Sequence, residues 1–117
     1  MNLEAEEISP IDNVTQADLE RIFDESQTAF GKFIILLSSD DAFIQSACVW
    51  EPTDESQAFI QRTGSDPYCL EYRDPESGKQ FVATGDFTLL QIRDAFIEYL
   101  KGSDTWKRDK EWTELEV

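Results

Sequence analysis

The sequence contains no histidine, the side chain that proteins use most often as a general base. Its absence excludes the Ser-His and Cys-His pairs that activate nucleophiles, and it excludes most zinc sites. The five glycines stand singly, so no glycine-rich loop is present to cradle a phosphate group. The paired carboxylates Asp40-Asp41 and Asp54-Glu55 do not match the spacing of a calcium-binding loop. We therefore expect a protein that is not an enzyme and that has no cofactor.

Basic residues are scarce. The chain has 10 lysines and arginines against 25 aspartates and glutamates, which gives a net charge of −15. Such a chain repels nucleic-acid phosphates and anionic membrane surfaces, because binding there depends on neutralising charge with Lys and Arg. We expect no nucleic-acid or membrane partner and favour a basic protein partner. The alternative is that the charge serves solubility alone.

Long apolar runs are also missing, since no segment approaches the roughly 18 apolar residues of a membrane span. Residues 1–11 lack the basic and apolar regions of a secretory signal. The two cysteines, Cys48 and Cys69, each lie in a predicted strand. We expect buried free thiols in a cytoplasmic protein, with a disulfide as the alternative. Asp66 and Glu71 are expected to raise the pKa of the Cys69 thiol.

The clearest structural signal is a β-hairpin. Residues Tyr68 to Asp74 and Lys79 to Thr84 alternate apolar with polar side chains, which is typical of strands with one face on a core. Pro75 and Gly78 predict the turn that joins these strands. The expected inward positions of the first strand are Tyr68, Leu70 and Tyr72.

Two helices have clear start signals. Thr15 and Thr88 each precede, by three residues, a side chain that can complete a capping box. The first helix is expected over about Gln16 to Gln27, and Gly102 is expected to end the second. The second helix has an apolar stripe at helical spacing: Leu89, Ile92, Phe96, Tyr99 and Leu100.

The middle of the chain predicts further strands. Lys32 to Ser38 has the composition of a strand buried on both sides or at the sheet centre. Ala42 to Trp50 follows as its hairpin partner, with a bulge expected near Gln45 to Ala47. Glu51 to Gln57 is expected to be a polar loop, and Ala58 to Arg62 a short strand.

Both ends of the chain carry their own expectation. Residues 1–12 are acidic and are expected to form a loosely ordered arm. Residues 103–117 hold Trp106 and Trp112, which are expected to pack this tail back onto the sheet or helix edge. The whole chain predicts one α+β domain: a mainly antiparallel sheet of four to five strands, with the N-terminal and C-terminal helices on one face.

Acidic side chains cluster toward the N-terminus and are the candidate partner-binding residues. The alternative is that they form a solvated helix face. Oppositely charged surfaces steer proteins together, so an acidic cluster would suit a basic partner. The candidates are Glu4, Glu6, Glu7, Asp12, Asp18, Glu20, Asp24 and Glu25.

Three blocks carry a resemblance to known proteins: A-F-I-E-Y-L-K-G-S-D-T-W-K-R-D-K-E-W-T-E-L at 95–115, C-L-E-Y-R-D at 69–74 and K-Q-F-V-A at 79–83. They resemble small bacterial proteins, some of which look like immunity proteins encoded beside polymorphic toxins. The resemblance covers about half of the chain and rests on aromatic, turn and cap residues. It implies a small α+β protein that neutralises a partner, and it transfers no functional residue.

These observations lead to one main hypothesis and two alternatives. The main hypothesis is an immunity-like inhibitor that covers a basic toxin or nuclease with its acidic surface. A monomer or a homodimer fits the sequence, and the first alternative is a structural module that forms a symmetric dimer through an exposed sheet face or edge. The second is a domain that binds a small molecule in a pocket lined by Tyr68, Tyr72, Trp50 and Trp106.

Overall fold

The computed structural model of the protein describes residues 1–24 and 32–115. In these ranges the chain forms six strands and four helices. They are β1 (Asn2–Ala5), α1 (Gln16–Ile22), β2 (Phe33–Ser39), β3 (Ala42–Ala47), α2 (Asp54–Thr63), β4 (Glu71–Arg73), β5 (Gln80–Ala83), α3 (Leu89–Leu100), α4 (Thr105–Arg108) and β6 (Trp112–Leu115). The predicted α+β class is confirmed, but the described sheet has six strands where four to five were expected.

The strands lie in chain order from β1 to β6, and each is antiparallel to its neighbours. The central hairpin is confirmed, with Tyr72 of β4 opposite Phe81 of β5. Its strands are shorter than predicted. Thr88 and Gln91 form the expected capping box at the start of α3. Gly102 then has a φ of 79°, a left-handed conformation that glycine adopts without steric cost.

Strand β1 occupies the segment that was expected to be a loosely ordered arm. The side chain of Leu3 is fully buried. The Leu3 backbone exchanges two hydrogen bonds with Ile11, at 2.8 and 2.9 Å, on the side away from β2. The prediction was wrong because it relied on the acidic composition of residues 1–12. The single leucine Leu3 is enough to anchor the strand in the core.

The prediction for the β2–β3 hairpin was correct in its pairing and wrong in its details. Strand β2 is buried on one side only, since Phe33 is 37% exposed. The register shift lies between Leu37 and Ser39, not near Gln45 to Ala47. In β3 the small Ser46 side chain is buried, because its hydroxyl donates a 2.6 Å hydrogen bond to the Cys69 carbonyl. This bond satisfies a buried hydroxyl that would otherwise lack a partner.

Helix α2 replaces the polar loop and short strand that were predicted for residues 51–62. Thr53 caps it by accepting a hydrogen bond from the Ser56 amide at 3.3 Å. Asp54 and Glu55 occupy its first turn, where the helix dipole favours negative charge. Only Phe59 and Ser56 are buried along it, so the apolar stripe that identifies a helix is nearly absent.

Helix α1 starts with the predicted capping box. The Asp18 amide donates to the Thr15 hydroxyl at 3.2 Å, and the Thr15 amide donates to the Asp18 carboxylate at 2.9 Å. The helix ends at Ile22. The predicted end at Gln27 lies outside the described residues.

One hydrophobic cluster joins the sheet to the helices. It combines strand residues such as Leu3, Ile34 and Ile44 with buried residues of α1, α3 and α4. Phe96 of α3 is fully buried, and its ring meets Phe23 edge-on with 5.2 Å between centroids. Helix α3 contacts α1, α4 and β3.

The tail packs against this core through its two tryptophans. Trp106 is buried and Trp112 is half-buried, and their rings lie 5.1 and 4.7 Å from the Tyr72 ring. Both indole N–H groups are satisfied by carbonyls, those of Ser103 at 2.8 Å and Lys107 at 2.7 Å. Beyond α4 the chain adds β6 to the sheet beside β5.

We predict that Phe96→Ala lowers the free energy of unfolding by about 3–5 kcal/mol, because it removes a large aromatic side chain from the core. Phe33→Ala is the matched control and should change it by less than about 1 kcal/mol, since Phe33 is partly exposed. Urea unfolding measures both. A loss of less than about 1 kcal/mol for Phe96→Ala would show that the core does not depend on Phe96.

We predict that truncation after Gly102 lowers the free energy of unfolding by at least about 3 kcal/mol. The truncation removes Trp106 and Trp112 from the core, and β5 loses its pairing with β6. Truncation after Leu115 keeps both tryptophans and serves as the control. Thermal and urea unfolding of the two shortened chains provide the comparison. If the chain truncated after Gly102 were as stable as the full chain, the tail packing would contribute nothing to stability.

Candidate functional site

The two faces of the sheet differ in burial. Side chains alternate along each strand, and one face carries core residues such as Ile34 and Tyr72. The register places Ile35, Gln45 and Glu71 side by side on the opposite face, which we call the outer face. Its larger apolar side chains are half-buried or exposed and lie outside the core cluster: Phe33, Ile35, Leu37, Phe43, Val82 and Leu115. Contiguous exposed apolar patches often mark interaction surfaces, which makes the outer face the candidate site.

A carboxylate lies at the centre of the outer face. The Oε1 atom of Glu71 on β4 accepts hydrogen bonds from the Gln45 amide of β3 at 3.3 Å and from the Gln80 amide of β5 at 3.0 Å. The Oε2 atom accepts a weaker hydrogen bond from the Cys69 thiol, with 3.8 Å between the two atoms. Three adjacent strands therefore hold Glu71 in one orientation, and Oε2 keeps most of its capacity to accept hydrogen bonds.

Arg73 lies two residues further along β4 on the same face. Its Nε atom is buried, and no atom of residues 1–24 or 32–115 accepts a hydrogen bond from it. Its Nη2 atom lies against the β4–β5 turn, 3.7 Å from the position that a Cβ atom at Gly78 would occupy. A buried donor that lacks a partner costs about 1–3 kcal/mol.

The acidic residues predicted to bind a partner are divided between two parts of the fold. Glu4 lies on β1 and projects to the outer face, opposite Ile35 of β2. Glu4 and Asp12 also line a cavity of about 310 Å³ together with Asp40 of the β2–β3 turn. Glu6 and Glu7 follow β1 and are exposed.

The remaining acidic candidates belong to the α1 region. Asp18 completes the capping box. Its pKa is lowered, mainly by the hydrogen bond from the Thr15 backbone and then by the Thr15 hydroxyl and the charge of Arg21. Glu20 accepts a 2.9 Å hydrogen bond from Gln16 within the helix. Asp24 follows the helix and is exposed. Glu25 lies outside the described residues. Asp18 thus has a structural role in starting the helix.

The predicted aromatic pocket is not formed by the four residues that were expected to line it. Tyr72 and Trp106 do meet, but Tyr68 is buried and Trp50 is 45% exposed. A different cavity of about 240 Å³ lies at the turn end of the sheet and includes Tyr72 and Trp106 in its wall. It also includes Tyr99 and Lys107, whose ammonium group lies 5.0 Å from the centre of the Tyr72 ring.

Both cysteines are free thiols as predicted, but they are half-buried and not fully buried. Burial raises the pKa of the Cys69 thiol, and the charge of Glu71 raises it further, as the sequence suggested for Glu71 but not for Asp66. In residues 1–24 and 32–115 no three carboxylate or thiol groups converge closely enough to hold a metal ion. No helix in the same ranges combines the length and apolarity that crossing a membrane requires.

The residues at the centre of the outer face were not among the predicted site residues. Their signal was present in the sequence, because Glu71 and Arg73 alternate with the buried Leu70 and Tyr72. That pattern predicts which way the two side chains project. The hydrogen bonds to Gln45 and Gln80 depend on strand neighbours that the pattern does not specify.

Comparison of the chain with protein-family models, with curated proteins and with solved structures found no match.

We predict that Glu71→Gln lowers the pKa of the Cys69 thiol, because it removes a negative charge that opposes ionisation. In a Cys48→Ser background, the rate of alkylation of Cys69 by iodoacetamide, measured against pH, should shift to lower pH. Glu4→Gln removes a carboxylate from β1 and should leave the curve unchanged. An unshifted curve for Glu71→Gln would mean that the carboxylate and the thiol are not neighbours in solution.

Proposed function

We propose that this chain is a non-enzymatic, acidic protein-binding protein that holds a basic protein on the outer face of its sheet, in the manner of an immunity-like inhibitor of a basic toxin or nuclease. The outer face is the observation that carries the proposal. It combines half-exposed apolar side chains with a fixed polar centre at Glu71 and Arg73. Interface cores are built in the same way, with apolar contacts around a few polar anchors.

The proposal takes helices α1 and α3 to cover the inner face. Their buried residues, such as Leu19 and Phe96, share the cluster of Ile34 and Tyr72. The helix α2 makes no extensive contact with another described strand or helix. In this proposal the outer face remains free for a partner.

Charge selects the kind of partner. The chain has a net charge of −15, and a second copy would bring the same charge into contact with it, which opposes self-association. A basic protein is instead attracted over the whole surface, and Glu4, at the β1 side of the outer face, adds negative charge there. We therefore favour a basic partner over a homodimer. The free thiols of Cys48 and Cys69 suit a reducing compartment, and we place the interaction in the cytoplasm.

Affinity capture with matched variants tests this proposal. The wild-type chain, the double variant Phe33→Ser/Phe43→Ser and the control Trp50→Ser are immobilised and exposed to lysate of the source cells. Retained proteins are identified by mass spectrometry at low and at moderate salt. Trp50 is an exposed aromatic residue outside the sheet. The control therefore shows whether loss of any exposed aromatic side chain reduces the recovery of the partner.

We expect one basic protein to be retained by the wild type and by Trp50→Ser. Its recovery should fall at least about tenfold with the double variant, because two apolar contacts are lost from the interface. Retention of the same proteins by all three chains would contradict binding at the outer face. Recovery of no basic protein, or of further copies of this chain alone, would refute the proposed function.

A further inference from the structure

The two ends of the sheet are finished differently. At one end, the Leu3 backbone of β1 bonds to Ile11 at 2.8 and 2.9 Å, so the chain itself covers part of that edge. At the other end, β6 pairs with β5 and with no other described strand. We call the side of β6 that faces away from β5 the β6 edge. The backbone groups along such an edge can pair with a strand of another molecule.

The hydrogen-bond pattern shows how β6 is turned relative to β5. The Thr84 amide donates to the Glu111 carbonyl at 2.9 Å, so the two strands are bonded at this pair. At the next pair, Ala83 lies opposite Trp112, but the Ala83 amide donates to the Leu70 carbonyl at 2.9 Å, on the β4 side. Opposite residues of an antiparallel ladder alternate between bonded and non-bonded pairs. The backbone of Trp112 therefore points away from β5.

The same alternation assigns the rest of the strand. The backbone N–H and C=O groups of Trp112 and Glu114 face the β6 edge, and those of Thr113 and Leu115 face β5. Thr113 and Glu114 are exposed, so an added strand can reach the edge. The segment 111–115 contains neither proline nor lysine, two residues that protect many sheet edges from pairing.

Charge decides which strand fits this edge. Glu111 and Glu114 are both exposed, so a second copy of β6 would bring two further glutamates toward them. Like charges directly opposite each other destabilise a sheet, whereas a lysine or arginine opposite Glu114 forms an attractive cross-strand pair. The ammonium group of Lys79 lies 3.7 Å from one oxygen of Glu114, but the glutamate side chain is still 48% exposed. A second cation can therefore approach it.

The β6 edge also continues the outer face. Thr113 lies opposite Val82 of β5, and Leu115 lies opposite Gln80. Side chains of an added strand that stand beside Thr113 and Leu115 would extend the same face. A partner that covers the outer face is therefore in reach of the edge.

We infer that an extended segment of the basic partner adds to the sheet as an antiparallel strand on the β6 edge. Its backbone bonds to the N–H and C=O groups of Trp112 and Glu114, and its lysine or arginine stands opposite Glu114. Backbone bonds of this kind supply affinity, and the side chain opposite Glu114 supplies selectivity. This inference rests on the proposed function and specifies how its partner is held.

Proline substitution tests strand addition at single residues. Glu114→Pro removes an N–H group that faces the β6 edge, and proline is tolerated there because no bond to β5 is lost. Glu114→Gln is the matched control, since it removes the same charge and keeps the N–H group. Thr113→Pro removes a bond to β5 and should lower the urea midpoint, whereas Glu114→Pro should leave it nearly unchanged. Equal losses for the two proline variants would overturn the assignment of the edge.

A synthetic peptide serves as the probe, because the natural partner is unidentified. Random peptides displayed on phage are selected on the wild-type chain, and those that also bind Glu114→Pro are removed. The tightest remaining peptide is synthesised, and calorimetry gives its dissociation constant for the wild type and for Glu114→Gln. Amide hydrogen exchange of Trp112, Thr113 and Glu114 is followed by NMR with and without the peptide.

We expect the peptide to contain a lysine or arginine that alanine cannot replace. Glu114→Gln should weaken binding about two- to fivefold, the size of one cross-strand charge pair. The peptide should slow exchange of the Trp112 and Glu114 amides at least about tenfold. The Thr113 amide, which faces β5, should already be protected in the free chain. Unchanged exchange at Trp112 and Glu114, a peptide without a basic residue, or failure to recover any peptide would each overturn the inference.

Lysate capture separates this inference from the proposed function. The basic protein retained by the wild type should be recovered with Glu114→Gln and should fall at least about tenfold with Glu114→Pro. Equal recovery with Glu114→Pro would overturn the inference and leave the proposed function supported. Peptides that behave as expected, together with a lysate that yields no basic protein, would support strand addition at the β6 edge and refute the proposed partner.

Discussion

Successive side chains of a β-strand project to opposite faces, so a sheet with its hydrophobic core on one face leaves the other to solvent or to a partner. In this chain the burial of Ile34, Leu36 and Ile44 on the core side forces Ile35, Leu37 and Phe43 to the outer face. The same constraint carries Glu71 and Arg73 outward when Leu70 and Tyr72 are buried. Both the stability of the fold and the character of its exposed face therefore follow from one alternation.

The outer face places polar side chains among apolar neighbours, and the strand order decides how they are satisfied. Gln45 and Gln80 come from strands on either side of β4, and both donate to the same oxygen of Glu71. This arrangement satisfies the carboxylate without using Arg73, although an ion pair between neighbouring opposite charges would be the simpler solution. The glutamines thus orient the Glu71 carboxylate from both sides, and Oε2 keeps most of its capacity to accept hydrogen bonds.

Local signals explain which parts of the fold the sequence predicts. Pro75 and Gly78 specify the central turn by their own backbone preferences, and the capping box at Thr88 specifies the start of α3, so both were predicted. Strand β1 depends on Leu3 reaching a distant core, and no local pattern in an acidic segment shows that. Alternation predicts that Glu71 projects outward, but its pairing with two glutamines depends on strand neighbours. Composition alone also marked Asp18 as a candidate partner-binding residue, whereas its side chain completes the capping box of α1.

Net charge and local geometry act at different distances in the proposed interaction. The charge of −15 is spread over the whole surface and would speed the encounter with a basic protein, an effect that salt at about 0.1 M screens beyond about 10 Å. It cannot select one basic protein among many, because any cationic surface feels the same attraction. Selection requires groups with fixed positions and unused hydrogen-bonding capacity, and Glu71, which Gln45 and Gln80 hold through one oxygen, meets both conditions. Because these two glutamines come from the strands on either side of β4, the proposed specificity of the outer face depends on the order of strands β3, β4 and β5 as much as on the acidic composition.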